Sequence, residues 1–293
     1  MKIVIASCCR LQHTEAQPVW GEIRAEQPDA LLLLGDNIYL DCDTHDDPAA
    51  LAAELRQRYA AQFAEPHFDA LRRDMRSRGK PGLAIYDDHD FLGNNRCGGD
   101  FAPALRTVAR EALVAAFDPP RTGDEVYSSQ RLGAVRVVML DTRFHRLSVS
   151  AAAGLGDRDA VLGAGQWAWL EAELDKRDTP FLLIASSSTF HLFRSEAWEL
   201  YPAAFSRLRA LLRGRRGALF VSGDIHANAL YDDSGVVEVV SSGVARCGKV
   251  FGVQRKGYGV LAFDAEGVQI TLRSNKPGDR LHTRIALADW RLS

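Results

Sequence analysis

The chain has 293 residues, of which 46% are hydrophobic and 25% charged, so it contains enough apolar material for a sizeable core. Its formal net charge of −2 excludes a general attraction to nucleic acid or to an anionic membrane. No apolar run approaches the roughly 20 residues that span a bilayer.

The N-terminus and the cysteines bear on the cellular compartment. Met1-Lys2 leads directly into a strand-like run, without the apolar core or the cleavage site of a secretory signal. The five cysteines are odd in number and show no disulfide spacing: Cys8, Cys9, Cys42, Cys97 and Cys247. Both features favour a cytoplasmic protein, with an exported form trimmed at its cleavage site as the alternative.

Strand-like apolar runs alternate with helical patterns along most of the chain. The spacing of apolar residues predicts helices at about 16–27, 49–63, 66–78, 102–117, 165–177 and 202–213. Alternating strands and helices are typical of βαβ units and of a largely parallel sheet. With no repeat, low-complexity tract or linker in the sequence, we expect one α/β domain over residues 1–293.

Two regions depart from this alternation. The runs Val126–Leu132 and Val135–Leu140 flank Gly133-Ala134 and predict a hairpin. In the last third, runs follow one another at short intervals and predict an antiparallel set: Ala229–Asp232, Val236–Ser242, Tyr258–Asp264 and Val268–Arg273. The combination fits a sheet that contains both parallel and antiparallel strands, or two stacked sheets with flanking helices.

Six apolar runs end in residues that can bind a metal or a phosphate. The runs are Lys2–Ala6, Ala30–Leu34, Gly82–Tyr86, Val135–Leu140, Phe181–Ala185 and Ala218–Ser222. The segments that follow them begin with Ser7-Cys8, Gly35-Asp36, Asp87-Asp88, Asp141-Thr142, Ser186-Ser187 and Gly223-Asp224. Because ligands bind at the carboxyl ends of strands in open α/β sheets, this pattern predicts one site.

Asp36, Tyr39 and Cys8 form the first candidate ligand set. Asp36 and Tyr39 are three residues apart after a buried strand, so both can point at one ion. Free tyrosine has a pKa near ~10, so a strongly Lewis-acidic ion such as Fe(III) is needed to hold a phenolate at neutral pH. Cys8 can add a thiolate, while Cys9 is expected to be structural. The alternatives are a packed aromatic at Tyr39 and an inert core thiol at Cys8.

The segment Asp87-Asp88-His89-Asp90 concentrates three carboxylates and an imidazole. These carboxylates would repel one another without a cation, so Asp88 is a candidate metal ligand. His89 is then a candidate general acid, or a hydrogen-bond donor to charge that develops on phosphate. A solvated acidic loop is the alternative.

Asp224 and His226 complete the predicted set. Two residues apart on an extended chain, their side chains would face the same way and serve two adjacent ions. Together Asp36, Asp88 and Asp224 contribute three negative charges. Deprotonated Tyr39 and Cys8 bring the sum to −5, which one trivalent and one divalent cation would balance.

These motifs resemble those of the PhoD-type alkaline phosphatase/phosphodiesterase family, within the calcineurin-like metallophosphoesterases. The matching segments run in order along residues 3–264: Ala6-Ser7-Cys8, Gly35-Asp36-Asn37-Ile38-Tyr39, Tyr86-Asp87-Asp88-His89-Asp90, Asn94, Asp141-Thr142-Arg143, residues 162–170 and Gly223-Asp224-Ile225-His226. The resemblance is to short members that lack the extra N-terminal β-domain. It implies a four-layer sandwich of two mixed β-sheets flanked by α-helices.

The resemblance also implies a ligand set. An iron-like ion would be held by Cys8, Asp36, Tyr39 and His226, with Asp36 bridging to a second site. The second site would use Asp88 and Asp224 for one or two divalent ions, with calcium the family precedent and manganese, zinc or magnesium as alternatives.

Three further positions follow from the resemblance. Arg143 would orient phosphate through its planar fork, and Asn94 would lie near the divalent site as a metal or phosphate contact. Relatives place an amide or histidine ligand after the strand Phe181–Ala185. This chain offers Ser187, Ser188 or His191 there, which weakens the divalent site by one ligand.

The resemblance implies a metal-dependent phosphoesterase that hydrolyses phosphomonoesters, phosphodiesters or both by metal-hydroxide attack at a multinuclear site. The expected partner is a small phosphorylated substrate, without positive evidence for nucleic acid or membrane. One alternative is a phosphodiesterase specific for a nucleotide or a lipid headgroup. An alternative of another class is a degenerate member that binds a phosphorylated ligand without turnover.

Overall fold

A computed structural model describes residues 1–11, 16–40, 46–191, 196–233, 235–245, 249–250, 253–254, 256–274 and 281–292. Of the residues discussed above, Cys42 and Cys247 lie outside this part of the chain. Among the helices that it contains, none combines the length and the apolarity needed to cross a membrane.

The strands in chain order are β1 (Lys2–Ala6), β2 (Ala30–Leu34), β3 (Gly82–Ile85), β4 (Ser128–Leu132), β5 (Val135–Met139), β6 (Phe181–Ala185), β7 (Ala218–Ser222), β8 (Asn228–Asp233), β9 (Val236–Ser241), β10 (Lys249–Val250), β11 (Val253–Gln254), β12 (Gly257–Phe263), β13 (Gly267–Ser274) and β14 (Leu281–Ala286). The helices are α1 (Val19–Ala25), α2 (Pro48–Phe63), α3 (Pro66–Ser77), α4 (Asp88–Phe91), α5 (Pro103–Phe117), α6 (Val149–Leu155), α7 (Gly163–Asp175) and α8 (Pro202–Leu212). Two short 3₁₀ turns span Gly98–Asp100 and Trp198–Leu200.

Two six-stranded mixed sheets form the centre of the molecule. The first has the order β14-β13-β12-β1-β2-β3 and the second the order β4-β5-β6-β7-β9-β8. Within them β1, β2 and β3 run parallel, as do β5, β6, β7 and β9. The predicted hairpin is the antiparallel pair β4–β5, and the predicted antiparallel set comprises β8–β9 and β12–β13.

The burial of alternate residues shows how the layers stack. In β2, Leu32 and Leu34 face an apolar cluster shared with residues of the second sheet, while Leu31 and Leu33 face a cluster with α1, α2, α3 and α5. In β6, Leu183 faces the cluster between the sheets, and Ile184 faces a third cluster with α7 and α8. Strands buried on both faces read as continuous apolar runs, which is why the sequence revealed them. The layers are therefore helices, sheet, sheet and helices.

Prolines and side-chain caps set the helix starts. The first-turn prolines are Pro48, Pro66, Pro103 and Pro202. Proline at this position gives up no helical hydrogen bond, because the first N–H groups of a helix have no partner within it. The side chain of Asp47 accepts a hydrogen bond from the N–H of Ala49, and that of Glu65 accepts one from Phe68.

Several elements lie outside the sequence prediction. The segment Asp87-Asp88-His89-Asp90, for which a solvated acidic loop was the alternative interpretation, contains the helical turn α4, whose start is capped reciprocally by Asp87 and Asp90. The short helix α6 and the edge strand β14 were not predicted. β14 extends the first sheet antiparallel to β13.

Candidate metal centre

The turns that follow the parallel strands of both sheets pack against one another. Within the first sheet, the amide of Cys9 donates to the carbonyl of Asp36 at 2.8 Å. Between the sheets, the amide of Val244 donates to the carbonyl of Ser7 at 3.0 Å. The strand ends that the sequence analysis grouped therefore meet at one edge of the sandwich.

A first group of possible metal ligands surrounds Asp36. One ligand atom from each of Cys8, Asp36 and His226 lies within 4.8 Å of the other two. The hydroxyl of Tyr39 donates to Oδ2 of Asp36 at 2.8 Å and lies 3.4 Å from Nε2 of His226. The hydroxyl of Ser242 lies 3.0 Å from Sγ of Cys8 and accepts from the N–H of His226 at 2.9 Å.

A second group shares Asp36 with the first. Ligand atoms of Asp36, Asp88 and His89 also lie within 4.8 Å of one another. The carboxylate of Asp88 accepts backbone N–H bonds from His89 at 2.8 Å and from Asn95 at 2.6 Å, which fixes its orientation. The ring of His89 lies 4.1 Å, centroid to centroid, from the ring of Tyr39. Asp36 thus belongs to both groups of possible ligands.

The pKa values of four predicted ligands are raised in the buried site. Burial raises the pKa of the Cys8 thiol to about 11. Burial and the neighbouring Cys8 and Asp88 raise the pKa of Asp36 well above its usual range. Burial and the carboxyl of Asp87 do the same for the pKa of Asp224, and burial and Asp36 for the pKa of Tyr39. A bound cation would reverse these shifts, because metal ligands bind in their deprotonated form.

Buried carboxylate oxygens test whether the residues fit metal ions. Oδ1 of Asp36 and Oδ2 of Asp224 are buried and have no hydrogen-bond partner among the residues that the structure describes. Such atoms are costly to leave unpaired. Carboxylate, thiol, phenol and imidazole donors around them suit a site for hard or borderline cations, so the residues present fit the predicted ions.

The backbone is strained at the same place. Four predicted ligands adopt a positive φ: Cys8 (60°), Asp36 (54°), Asp224 (70°) and His226 (54°). Residues other than glycine rarely adopt this conformation, and it costs about 1–3 kcal/mol where it occurs. The prediction that Asp224 and His226 lie on an extended chain is therefore wrong. A turn closed by the N–H of Ile225 on the carbonyl of Gly223 carries them.

A buried network of ion pairs surrounds Arg143. Its side chain is fully buried, Nε donates to Oδ1 of Asp87 at 2.7 Å, and Nη2 forms an ion pair with the same oxygen at 2.6 Å. Nη1 and Nη2 donate to the two oxygens of Glu196 at 2.5 and 2.9 Å, and Nη1 also donates to the carbonyl of Arg96. A guanidinium has five N–H donors, and these hydrogen bonds account for four of them. Arg143 is thus tied to Asp87 and Glu196, and its contact with phosphate stays a prediction.

The other predicted positions divide between the site and its surroundings. Asn94 is exposed, next to the residue whose N–H binds Asp88. Ser187 lies among the strand-end turns, since its hydroxyl is 2.6 Å from that of Thr142 and its carbonyl accepts from Gly223. The hydroxyl of Ser188, in contrast, accepts from Arg146.

His191 lies on the helix side of the second sheet. Its Nδ1 is 2.8 Å from the buried carboxylate of Glu238 in β9, and its ring packs beside Phe205 of α8 and Tyr231 of β8. Of the three side chains offered to complete the divalent site, Ser187 is therefore the one placed among the strand ends.

Sequence reasoning missed three residues that shape the site. Glu196 holds Arg143, and no pattern in the sequence marks it. Ser242 follows β9, a further parallel strand, so counting that strand end with the others would have found it. Asn37 donates its side-chain amide to the carbonyl of Ile85 and to Asp90, which ties the turns after β2 and β3 together.

We predict that Gly35→Ala destabilises the protein far more than Gly79→Ala. Both glycines have a positive φ, +94° and +63°, so both substitutions strain the backbone by roughly 1–2 kcal/mol. A Cβ at Gly35 would also lie 2.5 Å from the Cβ of Asp87, whereas nothing lies within 4 Å at Gly79. Overpacking adds about 1–3 kcal/mol at Gly35. Chemical denaturation measures the difference, and equal losses would show that the two turns do not pack as described.

Comparisons with known proteins agree with this architecture. The family model of PhoD-like phosphatases matches residues 3–255. A comparison with curated proteins found no match.

Two of the solved structures that match the chain illustrate the shared fold. A dimetal phosphatase from Danio rerio has a TM-score of 0.58 at 14% identity, over 97% of this chain and 98% of that one. GAP50, the anchor in the inner membrane complex of Plasmodium, has a TM-score of 0.60 at 13% identity, over 97% of this chain and 89% of that one. The predicted four-layer sandwich of two mixed sheets with flanking helices is thus confirmed.

Proposed function

Because the chain belongs to the PhoD-like phosphatase family, we propose that it is a metal-dependent phosphoesterase acting on phosphomonoesters, phosphodiesters or both. The observation that carries the proposal is the position of Asp36, which belongs to both groups of possible metal ligands. Two adjacent ions that share a carboxylate are the arrangement by which many phosphatases stabilise the attacking and the leaving oxygen.

The donor chemistry supports unlike ions at the two positions. The thiol of Cys8 and the phenol of Tyr39 would serve Fe(III), with Asp36 and His226 completing that site. Asp36, Asp88 and Asp224 would serve one or two divalent ions, with Ca²⁺ proposed first and Mn²⁺, Zn²⁺ or Mg²⁺ as substitutes. The charge of −5 that these ligands carry when deprotonated matches one trivalent and one divalent ion.

The protein side chains would supply positioning and proton transfer. Bound ions supply Lewis acidity and an activated water nucleophile. His89, whose ring is held against Tyr39, is proposed to donate a proton or a hydrogen bond to the leaving oxygen. Arg143 is proposed as a positioning residue, since its contact with Asp87 holds the start of α4 and hence Asp88.

Hydrolysis of p-nitrophenyl phosphate and of bis-p-nitrophenyl phosphate by the purified protein tests this function. We expect release of nitrophenol from at least one of them, loss of the reaction after chelation, and its return after addition of Fe³⁺ with Ca²⁺. Metal loading should increase as the pH rises, because the pKa values of Cys8, Asp36 and Asp224 are raised and their protons must leave. Hydrolysis that is insensitive to chelators would contradict the proposal. Tight phosphate binding without turnover would favour the degenerate-member alternative.

A further inference from the structure

The sulfur of Cys8 has a hydrogen-bonding neighbour that is not itself among the predicted metal ligands. The hydroxyl of Ser242 lies 3.0 Å from Sγ of Cys8, and the same oxygen accepts from the N–H of His226 at 2.9 Å. The hydroxyl of Ser7 is further from this sulfur, at 3.6 Å, and also has the carbonyl of Ser241 as an acceptor at 3.1 Å. Ser242 is 2% exposed and Cys8 is fully buried, so their contact is shielded from bulk water. One side chain therefore touches two predicted ligands that follow strands of different sheets.

Backbone hydrogen bonds fix the position of Ser242. The residue directly follows β9, and the residues after it run along the turn that carries Cys8. The carbonyl of Ser7 accepts from the N–H of Val244 at 3.0 Å, and the carbonyl of Cys8 accepts from the N–H of Ala245 at 3.1 Å. These bonds hold the backbone of Ser242 beside the turn that presents the thiol.

The hydrogens of this group determine which partner donates. A serine hydroxyl has one O–H donor and two acceptor lone pairs. The N–H of His226 uses one lone pair of Ser242, which leaves the O–H hydrogen for the sulfur. The thiol hydrogen of Cys8 has its own acceptor, Oδ2 of Asp36 at 3.3 Å. A metal-bound thiolate has no hydrogen, so within this contact only Ser242 can donate once Cys8 is a ligand.

We propose that Ser242 is a positioning residue that donates a hydrogen bond to the thiolate of Cys8 and so sets how strongly the sulfur donates to iron. The proposal rests on the proposed function, whose iron site includes Cys8. A hydrogen bond withdraws electron density from a metal-bound sulfur, and such bonds help to set the reduction potential of iron–sulfur sites. A less donating thiolate leaves the iron a stronger Lewis acid toward a phosphoryl oxygen.

Ser242→Ala and Ser242→Thr test the proposal in iron-loaded protein, with Ser129→Ala as the control. Ser129 lies on the edge strand β4, where its hydroxyl accepts from Arg136 at 2.7 Å. X-ray absorption at the sulfur edge measures the covalency of the iron–sulfur bond, which should rise in Ser242→Ala. A redox titration should show the ratio of Fe(III) to Fe(II) at a fixed potential raised about 10-fold, the equivalent of one hydrogen bond to a charged group. Ser242→Thr keeps the hydroxyl and should stay near wild type in both measurements, as should the control.

Wild-type protein in D₂O provides a test that does not require the variants to take up iron. The hydroxyl hydrogen of Ser242 exchanges for deuterium, so the iron–sulfur stretching frequency in the resonance Raman spectrum should shift. The absence of a shift would overturn the proposal.

The outcomes separate this inference from the proposed function. Wild-type protein that takes up no iron would overturn both the iron site and the role of Ser242. If the wild type takes up iron and hydrolyses a substrate, but Ser242→Ala has the same iron–sulfur covalency and the same potential, only the inference fails. If both quantities change as expected and no substrate is hydrolysed, the inference stands and the proposed catalytic function fails.

Discussion

Asp36→Asn is expected to remove metal binding at both positions and to lower kcat/KM by at least about 10³-fold, since losing a single electrostatic contact in an active site already costs about 10²–10³-fold. Asp36 has this effect because it belongs to both ligand groups. The amide keeps the shape of the side chain and can still accept from Tyr39, so the fold should survive. Metal content and steady-state kinetics on the same preparation measure the effect.

Asp69→Asn provides the matched control for this prediction. Asp69 lies in the first turn of α3 and forms a surface ion pair with Arg73. A surface pair contributes little, so this variant should keep its metal and its activity. Asp36→Asn protein that retained both ions and its turnover would show that the two groups do not bind the ions.

Arg143→Met is expected to lower the free energy of unfolding by about 3–5 kcal/mol, the range found when one partner of a buried ion pair is removed. The substitution would leave the buried carboxylates of Asp87 and Glu196 without a cation. Arg143→Lys should recover part of the loss, because a single ammonium supplies charge without the five-donor fork. Urea denaturation of the metal-free protein measures both variants without a contribution from bound ions.

Arg58→Met should cost less than about 1 kcal/mol in the same experiment, since its i, i+4 pair with Glu54 on α2 is partly exposed to solvent. A different pattern would support the role predicted from the sequence. If Arg143→Met folded with wild-type stability but raised KM, Arg143 would be a substrate contact, and the network seen around it would be incidental.

The parallel strands could be predicted because the apolar residues that mark each of them are adjacent in the sequence. Both faces of β2 and β6 are buried, so each strand is an uninterrupted apolar run that the sequence displays. The missed elements lack such a signal. α4 is a single turn whose first residues are acidic, and it is capped by Asp87 and Asp90 without an apolar pattern that would predict a helix. β14 has mostly exposed or partly exposed residues and is held by its pairing with β13.

For the site, residue types were predictable but backbone conformations and partners were not. Cys8 and Cys9 separate as expected, with the thiol of Cys8 3.3 Å from Asp36 and Cys9 in the apolar cluster against α1 and α2. The reason differs from the one expected, because Cys8 has left the strand conformation with a φ of 60°. The ion pair between Arg143 and Glu196 joins residues that are 53 positions apart, so only the tertiary fold brings them together.

Metal content, measured by elemental analysis with a visible spectrum of the same sample, tests the central claim most directly. We expect about one iron and at least one divalent ion per chain. We also expect a broad charge-transfer band that Tyr39→Phe removes. Protein that neither contains nor takes up iron, and whose spectrum is the same with and without Tyr39, would contradict the assignment of Cys8, Asp36, Tyr39 and His226 as one metal site.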